Sequence, residues 1–358
     1  MKKLLLAAAV ATLSLSAAQA APTLYGKLNV TLDQVDNTDF KGNDVTEVNS
    51  NASRIGVKGE EKLTDNVAAV YQAEWEIATD GSDSDLNARN RFLGLKFSDV
   101  GTLKVGQYDS YFKTAAGKNQ DIFNDHNHLD ITKTMHGEER LKNVIGFETD
   151  KNLIVPGLQF NIMAQQGENS NTAYSTDKRD SFGDGVSASV SYDNKDYGIA
   201  LALAGNASVA GDFNALGLKD VESDAYRLTG SLDPSTLGAT GLVFGALWQQ
   251  AELSDSPSAT ALAAADLNKF AASAEEQAWL LSAAYSLPNT PWTVKAQYQT
   301  AETTADGMTD RTIDQYGVGV DYNFNKQARF YGVLAQQKRD WVADDNKTVV
   351  GLGMEYNF

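Results

Sequence analysis

Residues 350–358, Val-Gly-Leu-Gly-Met-Glu-Tyr-Asn-Phe, alternate large apolar side chains with small or polar ones. Successive side chains of a β-strand point to opposite faces, so this period of two predicts a strand with one apolar and one polar face. Residues 24–32, Leu-Tyr-Gly-Lys-Leu-Asn-Val-Thr-Leu, repeat the pattern far away in the sequence. Two distant stretches thus predict strands of the same amphipathic kind.

The same alternation recurs between these stretches, whereas helical spacing is hard to find. Marking it gives about 16 strands of roughly 9 to 12 residues, the length with which a tilted strand crosses a bilayer. Short and long connections alternate, as expected when one end of a barrel carries tight turns and the other carries loops. Long polar segments lie at 35–50, 110–137, 167–184, 206–223 and 253–274, and short links at 62–65, 98–101, 193–195, 287–291 and 325–327.

Alternation alone also fits a soluble sandwich or a propeller. The aromatic side chains favour a membrane barrel, because two aromatic bands around an aliphatic waist match the two membrane interfaces. In lipid an open sheet edge leaves backbone groups unpaired, so the sheet must close, and about 16 strands enclose a lumen wide enough for water. The band near the short turns comprises Tyr192, Tyr197, Tyr285, Trp292, Tyr322, Phe324, Tyr356 and Phe358, and the band near the loops Tyr71, Trp75, Trp248, Trp279 and Tyr298.

We therefore predict an all-β fold: a single transmembrane antiparallel β-barrel with short periplasmic turns and long extracellular loops. Hydrophobic residues make up 42% of the 358 residues, and the one long apolar run lies within residues 1–20. A polytopic helical membrane protein is excluded, because it needs several apolar runs of roughly 20 residues. Residues 1–20 show the charged start, apolar middle and small-residue end of a cleaved signal peptide, which leaves residues 21–358 as the barrel domain.

The mature chain is strongly acidic and has no cysteine. Without residues 1–20, which contain Lys2 and Lys3, 28 basic and 47 acidic side chains remain, a net charge of −19. Such a chain repels phosphate backbones, so no nucleic-acid partner is expected. Stability must come from extensive backbone pairing, since no disulfide can form.

Several short motifs resemble those of the general, non-specific porins of Gram-negative outer membranes, the trimeric sixteen-stranded type. They are LYGK at 24–27, SRIGVKGE at 53–60, FLGLK at 92–96, DVG at 99–101, VGQ at 105–107 and MEYNF at 354–358. The resemblance spans the mature chain. It implies a water-filled outer-membrane channel for passive diffusion of small hydrophilic solutes and ions, with no cofactor and no enzymatic activity.

The resemblance also implies partners. It predicts a homotrimer in contact with outer-membrane lipids and lipopolysaccharide. The terminal strand ending in Tyr356 and Phe358 resembles the family's assembly signal, which the barrel assembly machinery reads. Location in the cell outer membrane follows from the same resemblance together with the export signal.

Basic side chains gather at one height of the predicted wall. Arg54, Arg89 and Arg140 each lie within a few residues of a long loop, on the polar face of their strands, and Lys27 and Arg91 extend the same wall. Solvated surface arginines are the alternative interpretation. In the family that this chain resembles, such a basic wall forms one side of the pore constriction.

The resemblance implies that the third long loop, residues 110–137, folds into the lumen and opposes this wall with acids. The candidates are Asp121 and Asp125, together with Asp109 and Asp130, and the alternative places them at an exposed loop tip. Opposed charges across a narrow lumen sort ions by sign. Because acidic loops at the mouth concentrate cations, we expect mild cation selectivity.

Two features depart from this scheme. Leu93 and Leu95 share the parity of Arg89 and Arg91, so the inner face of that strand is less polar than expected. Asn143 lies on the nominal lipid side. Protein-covered contacts between subunits would hide such exceptions.

An enzyme and a solute-selective channel are the alternatives to general diffusion. The three histidines, His126, His128 and His136, lie on one loop segment and make a poor base site, and the spacing of the first two near Asp125 is common by chance rather than typical of zinc. A channel selective for oligosaccharides needs aromatic rings along the path, and Tyr25 is the clearest inward one. A soluble lectin-like protein is the rival outside transport.

Overall fold

Period-two alternation produces extended strands along nearly the whole chain. The structure is a computed structural model that describes residues 21–81, 86–168, 179–255, 262, 263, 265 and 273–358. All strands join one sheet, and every pairing is antiparallel. The strands are β1 (Thr23–Asp36), β2 (Val45–Ser50), β3 (Arg54–Lys62), β4 (Val67–Glu76), β5 (Asn87–Phe97), β6 (Gly101–Asp109), β7 (Arg140–Thr149), β8 (Leu158–Gln165), β9 (Gly185–Asn194), β10 (Ile199–Phe213), β11 (Leu218–Leu232), β12 (Leu242–Leu253), β13 (Glu275–Ser286), β14 (Trp292–Thr304), β15 (Arg311–Asn323), β16 (Ala328–Arg339) and β17 (Asn346–Asn357).

The 17 described segments form 16 strands of the barrel wall, because β2 and β3 pair with the same edge of β1 and together count as one. The interruption lies at residues 51–53, where Ala52 has a positive φ of 49° and the Ser53 hydroxyl accepts a hydrogen bond from Asn29 N at 2.9 Å. The predicted strand number is confirmed. The interruption therefore divides one barrel strand into β2 and β3, and both parts stay paired with β1.

The barrel closes where the first strand pairs with the last. Lys27–Asp36 of β1 pair with Asn357–Thr348 of β17, and Gly26 and Phe358 exchange backbone hydrogen bonds of 2.9 and 3.0 Å. Among the described strands no sheet edge remains, so the backbone groups that would be costly in lipid are paired. Tyr356 and Phe358 sit at this seam, each about two-fifths exposed on the outer face; their role as an assembly signal stays a prediction.

Burial is inverted relative to a water-soluble protein. Leu352 is 68% exposed on the outer face, while Gln315 and Gln249, on inner faces, are 3% and 0% exposed. An apolar exterior and a polar interior are what a bilayer and a hydrated lumen select. Rings of each predicted aromatic band contact one another: Trp292 and Tyr322 at 4.8 Å near the turns, and Trp279 and Tyr298 at 4.9 Å near the loops.

The connections follow the predicted alternation with two corrections. The predicted long segment 35–50 is shorter, because β1 extends to Asp36 and Val45–Ser50 form β2. Residues 206–223 are not a long loop, because β10 and β11 continue to Phe213 and from Leu218 and leave only residues 214–217 as the turn. The tip of this hairpin bends onto neighbouring elements, since Arg311 donates to Ala215 O at 2.9 Å and Asn214 to Thr132 O at 3.0 Å. Tertiary contacts thus convert a polar segment into paired strands.

Within the described residues, no helix is long and apolar enough to cross a membrane. The predicted signal peptide, residues 1–20, lies outside the described residues. The division into a signal peptide and a barrel domain therefore stays a prediction.

Candidate pore constriction

Residues 110–139, here called L3, connect β6 to β7 and run inside the barrel. They form two short helices, α1 (Tyr111–Thr114) and α2 (Gly117–Gln120), and a 3-10 turn at Ile131–Lys133. The Ser110 side chain caps α1 by accepting from Lys113 N, and Asp130 caps the 3-10 turn by accepting from Thr132 N. These local caps supply the partners that short helices lack inside a wide lumen.

L3 is fastened to the opposite wall by polar contacts. Gln120 donates to Gly230 O of β11 at 2.8 Å, Ile122 N donates to the Gln297 side chain of β14 at 2.9 Å, and Gln315 of β15 donates to Leu129 O at 2.8 Å. Beneath these bonds lie buried apolar side chains of the loop, namely Phe112, Phe123, Leu129, Ile131 and Met135. The expected inward fold of the third loop is thereby confirmed.

Asp125 brings the tip of L3 onto the predicted basic wall. Its carboxylate pairs with Lys27 of β1 and, at 3.0 Å, with Arg54 of β3. Burial raises the pKa of the Asp125 carboxyl, but Lys27 and Arg54 outweigh burial and hold that pKa below its usual range. The tip is therefore anionic at neutral pH and sits between two cations.

The charged row continues along the last strands. Lys27 lies 4.0 Å from Glu355 of β17, Arg329 of β16 pairs with Glu355 at 2.9 Å and with Asp321 of β15 at 2.8 Å, and Lys295 of β14 pairs with Asp321 at 3.1 Å. Sequence reasoning missed Glu355 and Asp321 as constriction residues. The signal was present, because both lie on the polar face of strongly alternating strands.

A second charged group occupies the wall from β4 to β7. Arg89 pairs with Glu74 at 2.7 Å and with Glu76 at 3.3 Å, and Arg140 pairs with Asp109 at 3.0 Å. The structure therefore brings Arg54, Arg89 and Arg140 to acidic partners. Glu74 and Glu76 were missed, although they alternate on one face of β4.

Asp121 and Asp130 hold L3 together and do not contact the basic wall. Asp121 is 2% exposed and accepts from Gln297 at 3.2 Å and from Asn124 at 3.1 Å. Burial, with Asp130 nearby, raises the pKa of Asp121 well above its usual range. Asp130 accepts from Asp125 N at 2.8 Å, which sets the turn that presents Asp125.

Arg91 does not belong to the basic wall, and this prediction is wrong. A shift in the β4–β5 register between Ala73 and Trp75 inserts an extra residue in β5. Such a bulge reverses side-chain parity. Arg91 therefore shares the outer face with Leu93, which is 63% exposed, and donates to the Gln107 side chain at 3.1 Å. The same bulge explains why Leu93 and Leu95 appeared to break the pattern.

Substituting the two arginines separately tests this assignment. We expect Arg89→Gln to leave Glu74 and Glu76 without a cation and to raise the K⁺/Cl⁻ permeability ratio about twofold, the effect of roughly 0.4 kcal/mol from one screened charge. Arg91→Gln, an equal change in charge on the outer face, should leave that ratio unchanged. Reversal potentials in a salt gradient provide the measurement; equal effects of both variants contradict the bulge assignment.

The open part of the lumen is a cavity of about 940 Å³ between L3 and strands β4 to β11. Its walls are largely amide, hydroxyl and charged side chains, which compensate a solute or ion for lost water. Polar lining residues include Gln72, Asn90, Lys104, Glu148, Gln159, Asn161, Ser189 and Ser191.

His126 makes the seating of L3 sensitive to acid. The ring is buried, with Nε2 3.7 Å from Asp33, and burial outweighs that carboxylate and lowers the pKa of His126 to about 4. Because the unfolded value is about 6.5, the neutral ring's contribution is fully present above that pH and is lost as the pH falls to about 4, on the order of 3 kcal/mol. Thermal unfolding at pH 7 and 4.5 should show a smaller acid loss in His126→Gln; an unchanged acid loss contradicts this assignment.

A closed antiparallel barrel with an apolar exterior, a polar interior and an inward loop that narrows the lumen defines an outer-membrane channel protein of the porin class. Comparison with known proteins agrees. The profile of the Gram-negative porin family matches residues 5–341. The chain therefore belongs to the Gram-negative porin family, which comprises channel proteins rather than enzymes.

Particular relatives give the extent of the similarity. The major outer membrane protein P.IB of Neisseria meningitidis is 33% identical over 151 residues, 40% of this chain and 45% of that protein, so the match spans less than half of the relative. An anion-selective porin from Comamonas acidovorans superposes with a TM-score of 0.70 at 17% identity, over 94% of this chain and 99% of that one. The trimer form of OmpT from Vibrio cholerae superposes with a TM-score of 0.65 at 15% identity, over 94% and 99%. The two structures support the fold.

Proposed function

We propose that this protein forms a water-filled outer-membrane channel through which small hydrophilic solutes and ions diffuse passively. The observation that carries this proposal is the pairing of Asp125 on the inward loop with Lys27 and Arg54 on the wall, beside a polar cavity of about 940 Å³. The loop narrows the lumen without filling it. Charged walls on a narrow aqueous path favour polar solutes and slow apolar ones, which must shed ordered water.

Mild cation selectivity remains part of the proposal. The wall cations Lys27, Arg54, Arg89, Arg140 and Arg329 each have a carboxylate partner, so the basic wall is largely neutralised. The remaining bias then comes from the net charge of −19 on the mature chain, which enriches cations at the mouth within a Debye length. A neighbour of the same fold is described as anion-selective, so the sign must come from individual side chains rather than from the fold.

A homotrimer is the proposed assembly. Support comes from a structural neighbour with a trimer form and from Arg91 on the outer face. An arginine that faces lipid costs up to about 2–4 kcal/mol, depending on its depth in the bilayer, so cover by another subunit is favourable. Contacts with lipid and lipopolysaccharide, and recognition of Tyr356 and Phe358 by the barrel assembly machinery, belong to the same proposal.

Conductance of the purified protein in planar bilayers tests the channel. We expect stable ion conductance, a reversal potential on the cation side in a KCl gradient, and a smooth size cutoff with a panel of neutral sugars. Anion selectivity contradicts the proposed sign. Block by one sugar contradicts general diffusion and favours a solute-selective channel, and absence of conductance contradicts the channel itself.

A further inference from the structure

Three cations and two aromatic rings alternate on the inner wall at the long-loop end of the barrel. The Lys347 ammonium lies 5.4 Å from the centroid of the Phe40 ring, and the Arg339 guanidinium lies 4.3 Å from the same centroid. Arg339 also lies 5.8 Å from the Trp341 ring, which Arg311 approaches at 5.4 Å. We call Lys347, Arg339 and Arg311 the vestibule cation row.

The register of the last strands directs this row into the lumen. Lys347 is paired with Gln337, and Arg339 follows Gln337 by two residues. Lys347, Gln337 and Arg339 therefore share one face of the sheet. Gln337 donates to Lys133 O of L3, which lies inside the barrel. The vestibule cation row therefore lies at the mouth of the channel, on the long-loop side of L3.

The row is not paired with carboxylates at salt-bridge distance as the cations of the constriction are. Across the described part of the chain, none of the three forms a salt bridge, and Arg311 makes one hydrogen bond, to Ala215 O. Of the nearby acids, Asp345 pairs with Lys338 at 3.4 Å, and Glu47, which attracts the Lys347 ammonium from beyond salt-bridge distance, bonds to His128 at 2.8 Å.

The aromatic rings explain how these cations stay together. A ring face attracts a cation through its quadrupole but carries no net charge, so it holds the cation in place without neutralising it. A carboxylate would do both. Phe40 and Trp341 therefore hold the cations in place without neutralising them. Arg339 and Arg311 stay partly exposed, whereas Lys347 is buried, in a chain whose overall charge is strongly negative.

We propose that the vestibule cation row binds small oxyanions, with inorganic phosphate as the simplest case. Guanidinium and ammonium groups supply several N–H donors, and charge-assisted hydrogen bonds to an oxyanion are about twice as strong as neutral ones. Lys133 of L3 adds a further exposed cation nearby. The site deepens the proposed channel function, because it would concentrate phosphate-bearing solutes at the mouth of an otherwise cation-favouring pore.

Calorimetric titration of the detergent-solubilised protein with inorganic phosphate, at constant ionic strength against chloride, tests the site. We expect wild-type protein to bind phosphate and the double variant Arg339→Gln/Lys347→Gln to bind at least tenfold more weakly. Arg339→Lys, which keeps the charge, should retain most of the phosphate affinity that the single variant Arg339→Gln loses. Lys338→Gln is the matched control, because Lys338 lies on the outer face of the same strand and already pairs with Asp345.

Each outcome is decisive. Phosphate binding no stronger than chloride in the wild type, an equal loss in Lys338→Gln, or unchanged binding in the double variant overturns the site. Heat-modifiable migration in gels shows whether a variant has formed a barrel; if the double variant has not, Lys347→Gln alone should bind about threefold more weakly. A conducting barrel without phosphate binding contradicts only this site, whereas a protein without conductance contradicts the channel.

Discussion

Asp125→Asn should turn the constriction towards anions. The substitution removes the carboxylate between Lys27 and Arg54 and leaves two cations where the tip of L3 meets the wall. We expect the K⁺/Cl⁻ permeability ratio to fall about five- to tenfold, which corresponds to about 1.0–1.4 kcal/mol. Loss of one partner of a largely buried ion pair also costs about 3–5 kcal/mol, so the loop tip should loosen and single-channel current should fluctuate more.

Asp121→Asn is the matched control for this prediction. The residue lies on the same loop and the change in composition is identical, but Asp121 is buried against Gln297 rather than paired with Lys27 and Arg54, and burial raises its pKa. Reversal potentials of the two variants should therefore differ widely. If Asp121→Asn shifts the potential as much as Asp125→Asn, the contacts assigned here to the loop tip are wrong.

The wall of the barrel could be predicted because its signal is local. Alternation indicates which face of a strand contacts lipid, and it holds over most strands of the barrel, including the last strand, which ends at Phe358. The same alternation also indicates lumen-facing residues that the sequence analysis did not name. Glu355 and Asp321 stand on the polar faces of their strands, so their place in the lumen could have been expected.

Register shifts and loop paths could not be predicted in the same way. The bulge that turns Arg91 outward depends on how β4 and β5 pair across the sheet, and nothing in the sequence of β5 alone marks it except the misplaced Leu93 and Leu95. Asp121 and Asp125 differ by four positions and meet opposite walls. Their fates depend on contacts with strands far away in sequence.

Arg227 shows the same limit, because no sequence pattern singled it out. It stands on β11, is fully buried, and pairs with Glu138 of L3 at 2.7 Å. Its guanidinium also donates to Phe112 O at 3.0 Å and to the Gln249 side chain at 2.6 Å, and it lies 4.1 Å from the centroid of the Phe112 ring. One side chain thus fastens both ends of L3 to the wall, while Asp125 fastens the tip.

Arg227→Met should release this attachment and leave the barrel closed, since the backbone pairing of β11 does not depend on the side chain. Glu138 would then be a buried charge without its partner, at a cost of about 3–5 kcal/mol, and we expect noisy, larger conductance with a lower unfolding temperature. Replacing both partners by neutral groups should recover much of that loss, because an unpaired buried charge costs more than an absent pair. A double-mutant cycle with Glu138→Gln measures the coupling. Additive effects of the two substitutions would mean that L3 is held by its apolar contacts, and that the buried ion pair does not position the constriction.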